Sequence, residues 1–201
     1  MQEQQPMLMY PTLDPKESFL HPFASFHGDF SDEECKKIIE YGNSLEKQTA
    51  LIGGENGEND KDFRDSSISW IGPTKETDWL FEKLRHIIVG ANKECFGFEL
   101  YGFYEPIQFT RYEAPSGKYD KHVDIGPGKI TRKLSVTIQL SNSDDYEGGD
   151  LLIYNGPQGM SGGKKRGTIT IFPSFMLHEV TPVTKGTRYS LVTWIGGPAF
   201  K

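Results

Sequence analysis

The chain has 201 residues, long enough to bury one sizeable core and most simply one domain. Its 36% hydrophobic residues, 22 glycines and 12 prolines are those of a turn-rich globular protein, which excludes a fibrous or wholly disordered chain. A net charge of −6 gives no electrostatic reason to expect nucleic acid or an anionic membrane as a partner.

The two cysteines, Cys35 and Cys95, are too few for a disulfide scaffold and wrongly spaced for a zinc knuckle. The first twenty residues lack a basic region followed by an apolar one, and no apolar run is long enough to span a bilayer. The expectation is a protein of the reducing cytoplasm, with both cysteines as reduced core residues.

Helical periodicity dominates the N-terminal half, about residues 20–97. Ser31 followed by Glu34 forms a capping box, with Phe30 and Cys35 placed as a hydrophobic staple. Ile38 and Ile39 continue the apolar face, and Gly42 is expected to end the helix. A second helix is marked by Leu80, Leu84, Ile87, Ile88, Ala91 and Cys95 at three- and four-residue spacing, with Gly97 as its stop. Between the helices, Gly53 to Asp65 is polar and without apolar period, as expected of a mobile loop. Arg64, Asp65 and Trp70 border it and are expected to form surface pairs.

From residue 98 to about 197 the pattern becomes that of strands. Short β-branched and aromatic segments lie at about 100–112, 118–124, 132–141, 150–154, 167–173, 177–183 and 187–195. In the third of these, Leu134, Val136, Ile138 and Leu140 alternate with Ser135, Thr137 and Gln139, which predicts one dry face and one face onto solvent or a polar cavity. Seven strands after two helices suggest a jelly-roll barrel buttressed by helices. Gly148-Gly149 is read as a turn requiring positive φ, and Lys164-Lys165-Arg166 as a solvated loop tip.

The chemistry concentrates in His122-Val123-Asp124, His178 and Arg188. Two imidazoles and a carboxylate on one face of Fe(II) leave open positions for a co-substrate and dioxygen. His122 and Asp124 are two apart, so on one strand they share a face. Arg188 suits the far end of a dicarboxylate, and it shares a strand face with Ser190, Val192 and Trp194. Each piece alone is weak, and the combination carries the reading.

With these residues in place, the chain resembles the Fe(II)- and 2-oxoglutarate-dependent dioxygenases of the prolyl-hydroxylase-like branch. Tyr112 and Tyr119 precede the HVD at the family's spacing, Tyr146-Glu147-Gly148-Gly149-Asp150 is similar to its EGG-acid turn, and Trp194 lies six beyond Arg188. The resemblance covers about residues 100–197 strongly and the helical half loosely. It implies a double-stranded β-helix with Fe(II) held by His122, Asp124 and His178, and the distal carboxylate of 2-oxoglutarate paired with Arg188. Tyr112 would add a hydrogen bond to the co-substrate, with Gln139, Thr137, Ser190 and Trp194 as further cavity residues and Tyr119 as either a site residue or a core aromatic. It also implies dioxygen as oxidant, ascorbate as reductant, and a prolyl residue of a peptide or protein as substrate. Collagen-type enzymes carry lysine where this chain has Arg188, which sets it nearer the oxygen-sensor and bacterial relatives. Residues 67–70 would form a strand at the barrel mouth, and the 53–65 segment a lid over it.

Three other readings stay open on the residues alone. A free amino acid or other small metabolite could replace the peptide. A jelly-roll module could bind metal without turnover, although it would have no use for Arg188. A zinc hydrolase would need a carboxylate base that the motif does not supply.

Overall fold

The computed structural model describes residues 21–52, 58–126 and 131–200. The first helix, α1 (Asp32–Ser44), starts as expected: Ser31 Oγ accepts from the Glu34 amide and the Glu34 carboxylate accepts from the Ser31 amide. Phe30 and Cys35 are both buried beside it. Gly42 does not end the helix, which runs two residues further. A β-carbon at Gly42 would lie 2.5 Å from the Phe109 ring, so this glycine serves close packing of helix on sheet.

The second helix, α2 (Asp78–Ala91), buries Leu80, Leu84, Ile88 and Ala91. A π-helical turn, Asn92–Phe96, extends it, and Gly97 closes it in the left-handed conformation at φ 67°. That stop is where the sequence puts it.

Fourteen strands are found among the described residues. Those of the N-terminal half are β1 (Ala24–Phe26), β2 (Gln48–Thr49), β3 (Arg64–Asp65) and β4 (Ser67–Ile71). Then follow β5 (Gly102–Phe103), β6 (Ile107–Glu113), β7 (Lys118–His122), β8 (Arg132–Gln139), β9 (Tyr146–Gly148) and β10 (Leu151–Tyr154). The last are β11 (Gly159–Ser161), β12 (Ile169–Pro173), β13 (Leu177–Val180) and β14 (Val183–Gly196).

The larger sheet runs β1-β12-β8-β14-β6-β4-β2, with β5 and β9 also paired to β14, and the smaller runs β11-β10-β13-β7-β3. All pairs are antiparallel. The two sheets and flanking helices form the expected helix-buttressed double-stranded β-helix.

Alternation gives the larger sheet two unlike faces. Leu134, Val136, Ile138, Ile169, Ile171, Phe109, Leu191 and Ile195 pack on the helices in one core. The opposite face looks toward the smaller sheet and carries Ser135, Thr137, Gln139, Thr170, Gln108, Thr110, Arg188 and Ser190. Most of these polar side chains are buried, so this face of β8 borders an interior polar cavity rather than solvent. A second apolar cluster, including Tyr112, Tyr146, Ile153, Phe172 and Val183, closes part of that interior.

Two expected loops are structured. Within the 53–65 segment, residues 53–57 lie outside the described residues, but Glu58 bridges Ile52 and Arg64–Asp65 pairs with β7. In the basic run, Lys164 Nζ donates to the Gly148 carbonyl at 2.7 Å, and Arg166 donates to the Leu140 carbonyl at 3.1 Å. Only Lys165 of the three is exposed, so the run pins its loop to the barrel instead of standing in solvent.

Candidate metal centre and anion pocket

His122 ends β7, and Asp124 lies just beyond that strand rather than within it as expected. Its amide is bonded to the Ser174 carbonyl, which holds the turn so that the carboxylate still faces inward. His178, on β13, pairs directly with His122 across the strands. Ligand atoms from all three lie within 4.8 Å of one another, with Asp124 oxygens 3.8 Å from His122 Nε2 and 3.4 Å from His178 Nε2.

The surroundings fix each donor. His122 Nδ1 faces the Asp120 carbonyl at 2.7 Å and His178 Nδ1 faces the Met176 carbonyl at 2.9 Å. A proton on each Nδ1 leaves both Nε2 lone pairs aimed at one point, the arrangement found around ligating histidines. Asp124 accepts from Ser135 Oγ at 2.6 Å, and Ser135 Oγ lies 3.0 Å from Ser174 Oγ.

Charge states suit ligation as well. Burial, reinforced by neighbouring His178, pushes His122 down to about 4, so its imidazole is neutral at neutral pH. Burial alone would raise Asp124, but His178, His122, the Ser135 hydroxyl and the nearby Trp194 indole outweigh it and hold the carboxylate low. The Trp194 N–H nevertheless makes no hydrogen bond of ordinary geometry, so its effect on Asp124 is that of a nearby dipole. Two imidazoles and one carboxylate, all buried or nearly so, fit a divalent cation and in particular the open facial arrangement of Fe(II).

Arg188 is buried on β14 with its Nη1 3.3 Å from Ser190 Oγ, and no carboxylate among the described residues pairs with it. Tyr112 is its cross-strand partner, the guanidinium lying 5.4 Å from that ring. Burial raises the Tyr112 hydroxyl, with the charges of Arg64 and Arg188 acting against that rise and that of Asp124 adding to it. Gly148 and Gly149 have φ values of 72° and 62°, as the turn requires. A β-carbon at Gly149 would also approach Arg188 Cδ to 3.0 Å.

The other expected cavity residues share this inner face with different degrees of engagement. Gln139 is buried, donates to Tyr146 Oη at 3.0 Å, and has an unpartnered Oε1. Thr137 is half-buried between its partners Thr170 and Val192. Trp194 forms a wall beneath the Arg132 guanidinium, which lies 3.8 Å from its ring.

Several contributors were not expected from the sequence. Tyr146, read only as part of a turn, is buried and accepts from Gln139 Nε2 at 3.0 Å; burial raises its hydroxyl, and the charge of Arg188 acts against that rise. Ser135 was assigned to the polar face without a partner. Arg64, expected in a surface pair, is buried: it donates to Ser66 Oγ at 3.2 Å, to the Leu51 carbonyl at 3.0 Å and to Gln108 Oε1 at 3.4 Å. No local signal marks it, because β3 and β4 belong to different sheets and its partners come from Leu51 and Gln108.

A family model described as the 2OG-Fe(II) oxygenase superfamily matches residues 107–196, which contain every candidate ligand and Arg188. Residues 107–196 are thus similar to the 2OG-Fe(II) oxygenase superfamily over a little under half of the chain. Similar proteins include a PKHD-type hydroxylase of Nitrosomonas europaea, 34% identical over 132 residues, covering 60% of this chain and 58% of that protein. A PKHD-type hydroxylase of Alteromonas mediterranea is 38% identical over 97 residues, covering 45% of this chain and 42% of that one. The chain thus spans about half the length of the curated relatives it matches. A Pseudomonas putida prolyl-4-hydroxylase superposes with a TM-score of 0.71 at 19% identity, over 89% of this chain and 94% of that one. A Trichoplax adhaerens prolyl hydroxylase, solved with a hypoxia inducible factor peptide, gives 0.72 at 19% identity over 88% and 84%. Both likenesses establish the double-stranded β-helix fold.

Proposed function

We propose that the protein is an Fe(II)- and 2-oxoglutarate-dependent dioxygenase that hydroxylates a prolyl residue of a peptide or protein, within a single domain. The observation that carries the reading is the pairing of the His122, Asp124 and His178 cluster with a buried arginine that has no carboxylate partner among the described residues. A metal site of purely structural purpose has no need of Arg188. A hydrolytic site would need a carboxylate base beside the ligands, and Asp124 is the only carboxylate in the cluster.

When bound, Fe(II) and 2-oxoglutarate supply the oxidation: dioxygen is consumed, 2-oxoglutarate is split to succinate and carbon dioxide, and an oxygen atom enters a substrate C–H bond. The chain's own residues then have three tasks. His122, Asp124 and His178 hold the metal from one side. Arg188, with Ser190 and the Tyr146 hydroxyl, receives the distal carboxylate, and Tyr112 adds a donor between that pocket and the metal. Trp194, Thr137 and Gln139 bound the cavity and help exclude water.

Prolyl chemistry is supported by the names of the structural neighbours, one of which was solved with a peptide. Ascorbate is proposed as the reductant that restores Fe(II). Cys35 and Cys95 are unpaired, in keeping with a reducing cytoplasm, and no helix of the described residues is long and apolar enough to cross a membrane. The test is mass spectrometry of proline-containing peptides incubated with the protein, Fe(II) and 2-oxoglutarate. Hydroxylated peptide together with stoichiometric succinate is expected. Succinate formed only when free amino acids are supplied would move the assignment to small-metabolite hydroxylation.

A further inference from the structure

Arg64, Tyr119 and His122 form a three-layer stack that ends on a metal ligand. The guanidinium of Arg64 lies 4.4 Å from the centre of the Tyr119 ring, and that ring stacks on the His122 imidazole with planes 18° apart. A register shift makes this possible. Between the pairs His178–His122 and Val180–Tyr119, three steps along β7 oppose two along β13, so the extra residue turns Tyr119 to the same face as His122. In a regular strand, residues three apart would point to opposite faces.

We propose that Arg64 is a positioning residue for His122, acting through Tyr119. The proposal rests on the assignment of His122 as a metal ligand. A hydrogen bond from Nδ1 to the Asp120 carbonyl fixes one point of the imidazole but still allows the ring to turn about the N–H···O direction. The face of Tyr119 removes that freedom by setting the ring plane. Tyr119 needs backing of its own, and Arg64 provides a flat one.

Arg64 is suited to this because it cannot itself rotate. Its three nitrogens are tethered to three separate places: the Ser66 hydroxyl, the Leu51 carbonyl and Gln108 on β6. Gln108 is held in turn by donating to Thr110 Oγ1 at 2.8 Å. A buried guanidinium with no carboxylate partner among the described residues carries a desolvation cost, and the stack offers a use for it: a planar cation lies flat on a π-face, which a lysine ammonium cannot do.

Co(II) serves as the probe, because its visible absorption reports coordination geometry without any turnover. R64Q and Y119L should each bind Co(II) about tenfold or more weakly than wild type, the loss typical of groups that orient a ligand. Their Co(II) spectra should also change in shape. R64K, which keeps the charge but not the plane, should show the same spectral change, and it covers the case in which R64Q fails to fold. Wild-type affinity and spectrum in folded R64Q or R64K would overturn the proposal, as would weaker binding with an unchanged spectrum. H178A is the control for the underlying reading. If H178A itself retained wild-type Co(II) binding, the metal assignment would fall rather than the role of Arg64.

Discussion

Gly42 on α1 and Phe109 on β6 touch so closely that a β-carbon on the glycine would fall within 2.5 Å of the aromatic ring. Helix and sheet approach at this point only because one residue has no side chain. Gly42→Ala would gain roughly 0.5–1 kcal/mol from helix propensity. It would lose about 1–3 kcal/mol to overpacking. The expected outcome is net destabilisation, read as a melting temperature lower by a few degrees at about 2–4 °C per kcal/mol for a chain of this size. An unchanged or higher melting temperature would mean that Phe109 can move aside at little cost.

His178→Ala removes one of the three proposed ligands and leaves Asp124 with one imidazole partner. Fe(II) affinity, measured anaerobically, should fall by more than about 100-fold, exceeding the loss expected when an outer group is removed. The metal-free variant should stay folded, because His178 is not part of either main apolar cluster.

Arg188→Ala should leave metal binding in place and raise the apparent KM for 2-oxoglutarate by about 10- to 1000-fold, the cost of losing a charge-assisted pair. Tyr146→Phe should produce a smaller rise of about 5- to 15-fold, since one neutral donor is lost. Steady-state kinetics with varied 2-oxoglutarate distinguishes the two. A KM unchanged in Arg188→Ala would remove the arginine from co-substrate binding.

Glu34 gives a prediction for pH. Partial burial acts to raise its carboxyl, but hydrogen bonds from Lys83 and the Ser31 amide outweigh this and hold it below the usual value. A depressed folded value means that its stabilising contribution is present above the unfolded value, near 4.3, and is lost as pH falls through the folded one. Glu34→Gln should therefore cost about 0.5–1.5 kcal/mol at pH 7. At a pH below the folded value, denaturant melts of the two proteins should nearly coincide. A constant difference at both pH values would point to packing rather than charge.

The contrast between what could and could not be read in the sequence has a physical basis. His122 and His178 were legible as strand residues and the polar face of β8 followed from simple alternation, whereas Asp124 lies just beyond β7 and is held by the distant Ser174 carbonyl. Tyr119 was ambiguous because its inward direction depends on an irregularity created by pairing with β13. Arg64 was misread because the chain passes from the smaller sheet to the larger at Ser66, and its tethers come from Leu51 and Gln108, far away along the sequence. Gly42 was taken as a stop signal because its alternative role needs Phe109, which only the folded helix brings near. Local rules failed where the deciding neighbour was distant.

The placement of β14 between β6 and β8 also orders events during synthesis. Those two strands are not hydrogen-bonded to each other, and the strand that joins them is the last of the fourteen described. Until residue 196 has left the ribosome, Phe109 on one and Val136 and Ile138 on the other lack the central strand that completes their sheet. Closure must therefore be late and dominated by contacts distant in sequence, a topology that folds slowly. Nascent chains halted before β14 should be the species most in need of chaperones, with protease resistance gained in a single step once that strand is available.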